Sequence, residues 1–137
     1  MFKNLKVLEL SSVLAGPAVG MFFSELGAQV VKVENKTTNG DVTRKWKLPN
    51  EKKSDLSAYF CSVNYNKNYI FLDFNNQKDR TELEILIKKC DIIITNFKGE
   101  DAAKFGLGFE DCKKINSNII YAHVGGFKTN PNRVAFD

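Results

Sequence analysis

The sequence has a single histidine, His123, and that scarcity removes several kinds of chemistry at once. A Ser-His-Asp arrangement would have to be built on His123, yet no G-x-S-x-G turn accompanies it. His123 falls inside a strand-like run and reads as a packed core histidine rather than a general base. Cysteine is scarce too. Cys61, Cys90 and Cys112 are far apart, odd in number and never paired as C-x-x-C. That excludes a disulfide framework and a zinc ribbon, and points to free thiols in a reducing, cytoplasmic setting with no bound metal. Neither G-x-G-x-x-G nor G-x-x-x-x-G-K-[ST] occurs, so the nucleotide-phosphate loops those patterns encode are missing. No run is long and apolar enough to span a membrane, and the start, Met1-Phe2-Lys3-Asn4, lacks a signal-peptide core. The net charge of +4 is mild and spread along the chain. It makes no nucleic-acid stripe, but it favours an anionic small molecule.

What is present is an ordinary globular balance, with 43% hydrophobic and 26% charged residues over 137 positions. The stretch 6–34 organises the rest. Residues 7–10 form an apolar run of β type. Pro17 suits the first position of a helix, where a missing N–H costs nothing. Val19, Phe22, Phe23 and Leu26 recur at i, i+3, i+4 and i+7, which predicts their side of that helix as the buried face. Gly27 marks its end. Val30, Val31 and Val33 begin a second strand, parallel to the first by the handedness of such crossovers. A polar excursion over 35–57 follows, with room for one helical turn. A short helix at 58–63, a strand at 69–72 and a helix to about Lys89 come next; Asn75 or Asn76 caps that helix, and Leu83, Leu86 and Ile87 form its buried face. A buried strand at 91–95, short helices at 101–105 and 109–115, and a strand at 119–124 complete the order. The fold class is α/β: a Rossmann-like open parallel sheet with helices on both faces, truncated. Residues 132–137 read as the lead-in to a further helix.

In open parallel sheets ligands gather at the carboxyl ends of the strands. Four tips qualify here. Ser11 to Pro17 carries side chains where a Rossmann loop needs glycine, which argues against a nicotinamide enzyme. Glu34 stands where such enzymes place a ribose-binding acid, a coincidence of spacing on its own. Asn96, Phe97 and Lys98 leave a buried strand; the ring can stack on a base, the amide can bond a ring edge, and the ammonium can meet a phosphate. Lys104 can add a second cation, and Asp73 and Asn75 lie on the same edge.

Taken in order, these pieces resemble the family III CoA-transferases, the CaiB/BaiF group that includes formyl-CoA transferase, L-carnitine CoA-transferase and alpha-methylacyl-CoA racemase. The pieces are VLEL-x5-AGP, LGAQVVKVE, GDVTR, Asn64-x-Asn66-Lys67, YIFLD, CDIIITNFK, FGLGFED and INSNIIYAHVGGF. The resemblance implies that 1–137 is the N-terminal part of a coenzyme A-binding Rossmann-like domain. It implies contacts to coenzyme A, or an acyl-CoA, from Val13, Leu14 and Ala15 through their backbone. It also implies contacts from Asn35 (where the family often has arginine) with Lys36 as its substitute at a phosphate, from Leu72, Asp73 and Asn75 along the nucleotide, from Asn96, Phe97 and Lys98 at adenine and ribose, and from Lys104 and Arg133. It further implies an acyl-CoA and a carboxylic acid as partners, and an interlocked homodimer. In the family an aspartate attacks the acyl-CoA carbonyl, giving a mixed anhydride and then an aspartyl-CoA (or glutamyl-type) thioester that passes CoA on. That aspartate matches no residue up to Asp137, so no catalytic residue is assigned. Racemases carry a histidine where this chain has Phe136, which favours a transferase over the racemase alternative. A non-catalytic module binding CoA or a nucleotide is the other alternative.

Overall fold

A computed structural model describes residues 1–53, 56–98, 100–130 and 133. The lead-in expected at 132–137, Arg133 apart, lies outside the described residues, as do Phe136 and Asp137. Five strands, β1 (Lys6–Leu10), β2 (Gln29–Asn35), β3 (Asn68–Leu72), β4 (Ile92–Thr95) and β5 (Ile120–His123), form one open, all-parallel sheet in the order β3-β2-β1-β4-β5. The helices are α1 (Ala15–Glu25), α2 (Ala58–Ser62), α3 (Gln77–Lys89), α4 (Asp101–Lys104) and α5 (Phe109–Ile115). Among its described residues the polar excursion holds two 3-10 turns, at Lys36–Thr38 and Val42–Lys45, rather than one. Asn76, not Asn75, caps α3, accepting hydrogen bonds from the Lys78 and Asp79 amides.

Alternation along β1 sends its residues to two cores. Leu8 and Leu10 join Val33, Ile93, Leu83 and Ile87 under α3 and α5. Val7 joins Val30, Ile92 and Ile94 on the opposite face, with Phe23 of α1 packed against them. Glu9 shares the face of Val7, and Lys32 lies directly across from it in the register.

Three sequence expectations are corrected. First, α1 does not bury the face its apolar spacing suggests. Val19 and Phe22 are exposed, and the buried residues are Gly16, Pro17, Gly20 and Ser24. This face packs over the two in-facing charged side chains of β1 and β2, and only small residues let the helix come that close. Second, the helix begins at Ala15, so Pro17 is its third residue rather than its first. Its missing N–H still falls in the first turn, where no intrahelical acceptor exists. Third, His123 is not a core histidine. It ends the outer strand β5, is exposed, and has Nδ1 3.1 Å from Thr95 Oγ1.

Candidate coenzyme site at the strand tips

Four charged side chains lie beneath α1. Lys32 Nζ is 2.9 Å from Glu9 Oε1 and 3.2 Å from Asp41 Oδ2, and Lys67 Nζ is 2.7 Å from Glu9 Oε2. Their side chains are essentially without solvent contact, and the two cations offset the two anions. Each ammonium also donates to backbone carbonyls: Lys32 to Ser11 O at 2.6 Å, and Lys67 to Pro17 O and Val63 O at 2.7 Å. Buried charges persist only when paired and hydrogen-bonded in this way. Burial nevertheless pushes the Lys67 ammonium down to about 8, against the pull of Glu9.

A second cluster fastens the excursion to β2. Glu34 accepts the Asp41 N–H at 2.8 Å and a two-pronged contact from Arg44. The Arg44 guanidinium carbon lies 4.0 Å from the centroid of the Phe60 ring and 4.6 Å from that of Tyr69. Glu34, the residue spaced like a ribose-binding acid, is therefore fully engaged within the protein. Between the clusters Gly40, at φ +83°, turns so tightly against Glu34 and Phe71 that a side chain would collide with both.

Above these clusters, at the carboxyl ends of the strands, lies a cavity of about 380 Å³. Ser11 and Ser12 from the β1 tip, Asn35 from β2, and Thr38 through Val42 from the excursion line one side. Phe74, Phe97 and Phe105 line the other, with ring centroids 5.2 to 6.4 Å apart in edge-on and tilted arrangements. Lys45 lines it as well.

Of the residues expected at the site, Asn35 and Phe97 line this cavity. Asn96 sits beside it with both amide ends bound to Ser12, Oδ1 accepting the Ser12 N–H at 3.0 Å and Nδ2 donating to Ser12 O at 2.7 Å. Val13 holds a left-handed backbone at φ +71°, and its N–H donates to Asp41. Leu14 caps α1 and Ala15 opens it. Leu72 is buried in the core, and the Asp73 carboxylate accepts the Asn75 N–H in the turn after β3. Lys36 and Lys98 are exposed. Lys104 pairs with Asp101 at 3.1 Å on the surface, and Arg133 stacks on Phe127 with its guanidinium carbon 4.1 Å from the ring centroid. The sequence reading missed Lys45, Phe74 and Phe105. Phe74 was legible in principle, because it continues the inward parity of Leu72 past the end of β3.

The profile of CoA-transferase family III matches residues 2–137. The chain belongs to the family III CoA-transferases. Among its relatives in this family, the succinate–glutarate CoA-transferase of Agrobacterium fabrum is 36% identical over 128 residues, which cover 90% of this chain and 32% of that enzyme. The formyl-CoA:oxalate CoA-transferase of Afipia carboxidovorans is 36% identical, covering 93% of this chain and 30% of the relative. A CAIB/BAIF family protein from Brucella suis has a crystal structure that superposes with a TM-score of 0.83 at 39% identity, over 91% of this chain and 33% of that one. The family III chain described here thus spans about a third of the length of the relatives it matches. Among its described residues no helix is long and apolar enough to cross a membrane, and no three histidine, cysteine, aspartate or glutamate side chains cluster as a metal site would need.

Proposed function

We propose that this chain is the coenzyme A-binding part of a CoA-transferase that moves coenzyme A between an acyl-CoA and a carboxylic acid. One observation carries the reading: an aromatic-walled cavity at the carboxyl ends of a parallel sheet, with Lys45 and Asn35 in its lining. Its 380 Å³ lies at the small end of ligand pockets. That suits a nucleobase and its sugar, and leaves the pantetheine arm outside. The rings offer stacking surfaces to a purine. Lys45, Lys36, Lys98 and Lys104 are lysines on or near the same edge that can meet phosphate, each as a point charge. The loop of Val13, Leu14 and Ala15 offers backbone contacts beside the cavity, and Leu72, Asp73, Asn75 and Asn96 build its supporting edge. Arg133, stacked on Phe127 and not among the residues lining the cavity, would have to leave that ring to take part.

In the reaction proposed, a carboxylate contributed from outside these 137 residues attacks the acyl-CoA carbonyl. The C–S bond breaks, coenzyme A thiolate leaves and a mixed anhydride forms. The thiolate then attacks the enzyme's own carbonyl of that anhydride, releasing the first acid and leaving an aspartyl-CoA thioester. The second acid repeats the sequence in reverse. A cytoplasmic homodimer is the setting this reading assumes. Calorimetric titration of the chain with coenzyme A tests it. Binding should be measurable below millimolar and weaken about tenfold, or ~1.4 kcal/mol, in Lys45→Ala. A folded chain that gives no heat with millimolar coenzyme A overturns the reading.

A further inference from the structure

Three consecutive residues of the β1–α1 loop are held by three polar side chains from three different parts of the fold. Lys32 of β2 holds the Ser11 carbonyl at 2.6 Å. Asn96, beyond β4, holds both backbone groups of Ser12, at 3.0 and 2.7 Å. Asp41 of the excursion holds the Val13 N–H, with Oδ2 at 3.1 Å and Oδ1 at 3.4 Å. Val13 needs such holding. A β-branched residue at φ +71° is a strained outlier, and such conformations persist only where the surroundings over-determine them. The Asp41 carboxylate is itself fixed from the far side: Oδ1 accepts the Thr43 N–H at 3.1 Å and its hydroxyl at 2.8 Å, and Lys32 stands 3.2 Å from Oδ2.

We infer that Asp41 is a positioning residue: with Lys32 and Asn96 it holds the β1–α1 loop, and Val13 in its left-handed conformation, in the shape that coenzyme A meets. This rests on the proposed coenzyme site. Asn96 thereby acts on the ligand through Ser12, with one N–H and one oxygen lone pair of its amide committed to that loop. The geometry also explains why a carboxylate is required at Asp41. In Asp41→Asn, keeping the oxygen toward Thr43 turns the NH2 toward the Val13 N–H and the Lys32 ammonium, setting donors against donors.

The test is a double-mutant cycle with Val13→Gly, because glycine takes a positive φ without strain. Asp41→Asn should weaken coenzyme A binding at least fivefold in the otherwise unaltered chain, and less than twofold in the Val13→Gly background. Equal losses in both backgrounds, or no loss in the first, overturn the inference. A second arm needs no ligand: in the free protein, hydrogen exchange at the Val13 amide should speed up at least tenfold in Asp41→Asn. If the unaltered chain fails to bind coenzyme A, the proposed function falls and this exchange arm decides the inference alone, an unchanged rate refuting it. Should Asp41→Asn fail to fold, Thr43→Val, which removes only the hydroxyl that fixes Asp41 Oδ1 and leaves Lys32 and Asn96 in place, carries both measurements with the same direction of change and the same outcomes that refute.

Discussion

Replacing Gly20 with alanine sets two rules against each other. By helix propensity alone, alanine in a helix interior is favoured over glycine by about 1 kcal/mol. Packing predicts the opposite here. A methyl group at this position would overlap Glu9 Oε2, with Glu9 Cδ at 2.9 Å and Lys67 Nζ at 3.2 Å. Neither neighbour can swing away freely, because Glu9 is tied to Lys32 and Lys67, and Lys67 to Pro17 O and Val63 O. Overpacking a rigid interior costs about 1–3 kcal/mol. Removing one partner of a buried ion pair costs about 3–5 kcal/mol, and a displaced carboxylate forfeits only part of that. Less the propensity gain, the net expectation is a loss of ~2–4 kcal/mol. Urea unfolding followed by circular dichroism measures it, with Val19→Ala on the exposed side of the same helix as control, expected to change stability by no more than about 0.5 kcal/mol. If Gly20→Ala proves as stable as the parent or more so, the account of α1 as a close-packed cover over buried charge is wrong.

Arg44→Lys should destabilise by about 2 kcal/mol despite preserving the charge, because an ammonium cannot reproduce the two-pronged grip on Glu34 or the stacking on Phe60 and Tyr69; an unchanged urea midpoint would contradict this. Stability should also bend with pH. Burial pushes the Cys90 thiol up to about 12 and Cys112 to about 11 from 9.0, so their contribution is complete below pH 9.0 and is lost as pH rises through those folded values. Lys67, lowered from 10.5 to about 8, works in the other direction, since the unfolded chain binds its proton more tightly between those values and stability rises across that interval. Two thiols outweigh one lysine, so urea midpoints should fall above about pH 9 and should instead rise in Cys90→Ala/Cys112→Ala. A parent protein whose midpoint rises steadily to pH 10.5 would refute this balance.

The strands were legible because each is a short run of aliphatic, aromatic or β-branched residues closed by polar or turn residues, most plainly Val30-Val31 and Ile92-Ile93-Ile94. The address of the candidate cavity was legible too, because a parallel sheet has only one edge, the carboxyl ends of its strands, where loops converge on a ligand. The orientation of α1 was not. Hydrophobic periodicity reports where apolar side chains lie, but the surface beneath α1 is partly ionic and demanded small residues, so size outranked hydrophobicity and left Phe22 outside. The signal that could have warned of this was a single opposite charge inside each of two apolar strands, Glu9 in VLEL and Lys32 in VVKV, at positions that pair in the register. Asp41 and Lys67 complete that cluster from loops, and nothing in local sequence connects them to it. Asn96 stood out as a ligand group because polar residues at strand tips often meet ligands; its hold on the β1–α1 loop did not. Its partner, Ser12, lies 84 residues earlier, a contact visible only once β1 and β4 are side by side.

The strand order also has a consequence for how the sheet comes together. β1 is made first yet ends in the middle, flanked by β2 on one side and β4 on the other. Its first neighbour arrives after a short crossover, Val7 meeting Val30; its second, Ile92 against Val7, must close a much longer loop. During synthesis β1, β2 and β3 can therefore assemble as a half-sheet while the other margin of β1 stands open, its backbone groups unpaired and available to any stray strand. The Asn96–Ser12 pair forms only when that margin closes. The closing of that seam and the fastening of the ligand loop are thus one event, and a chain caught before it would have a sheet but no finished site.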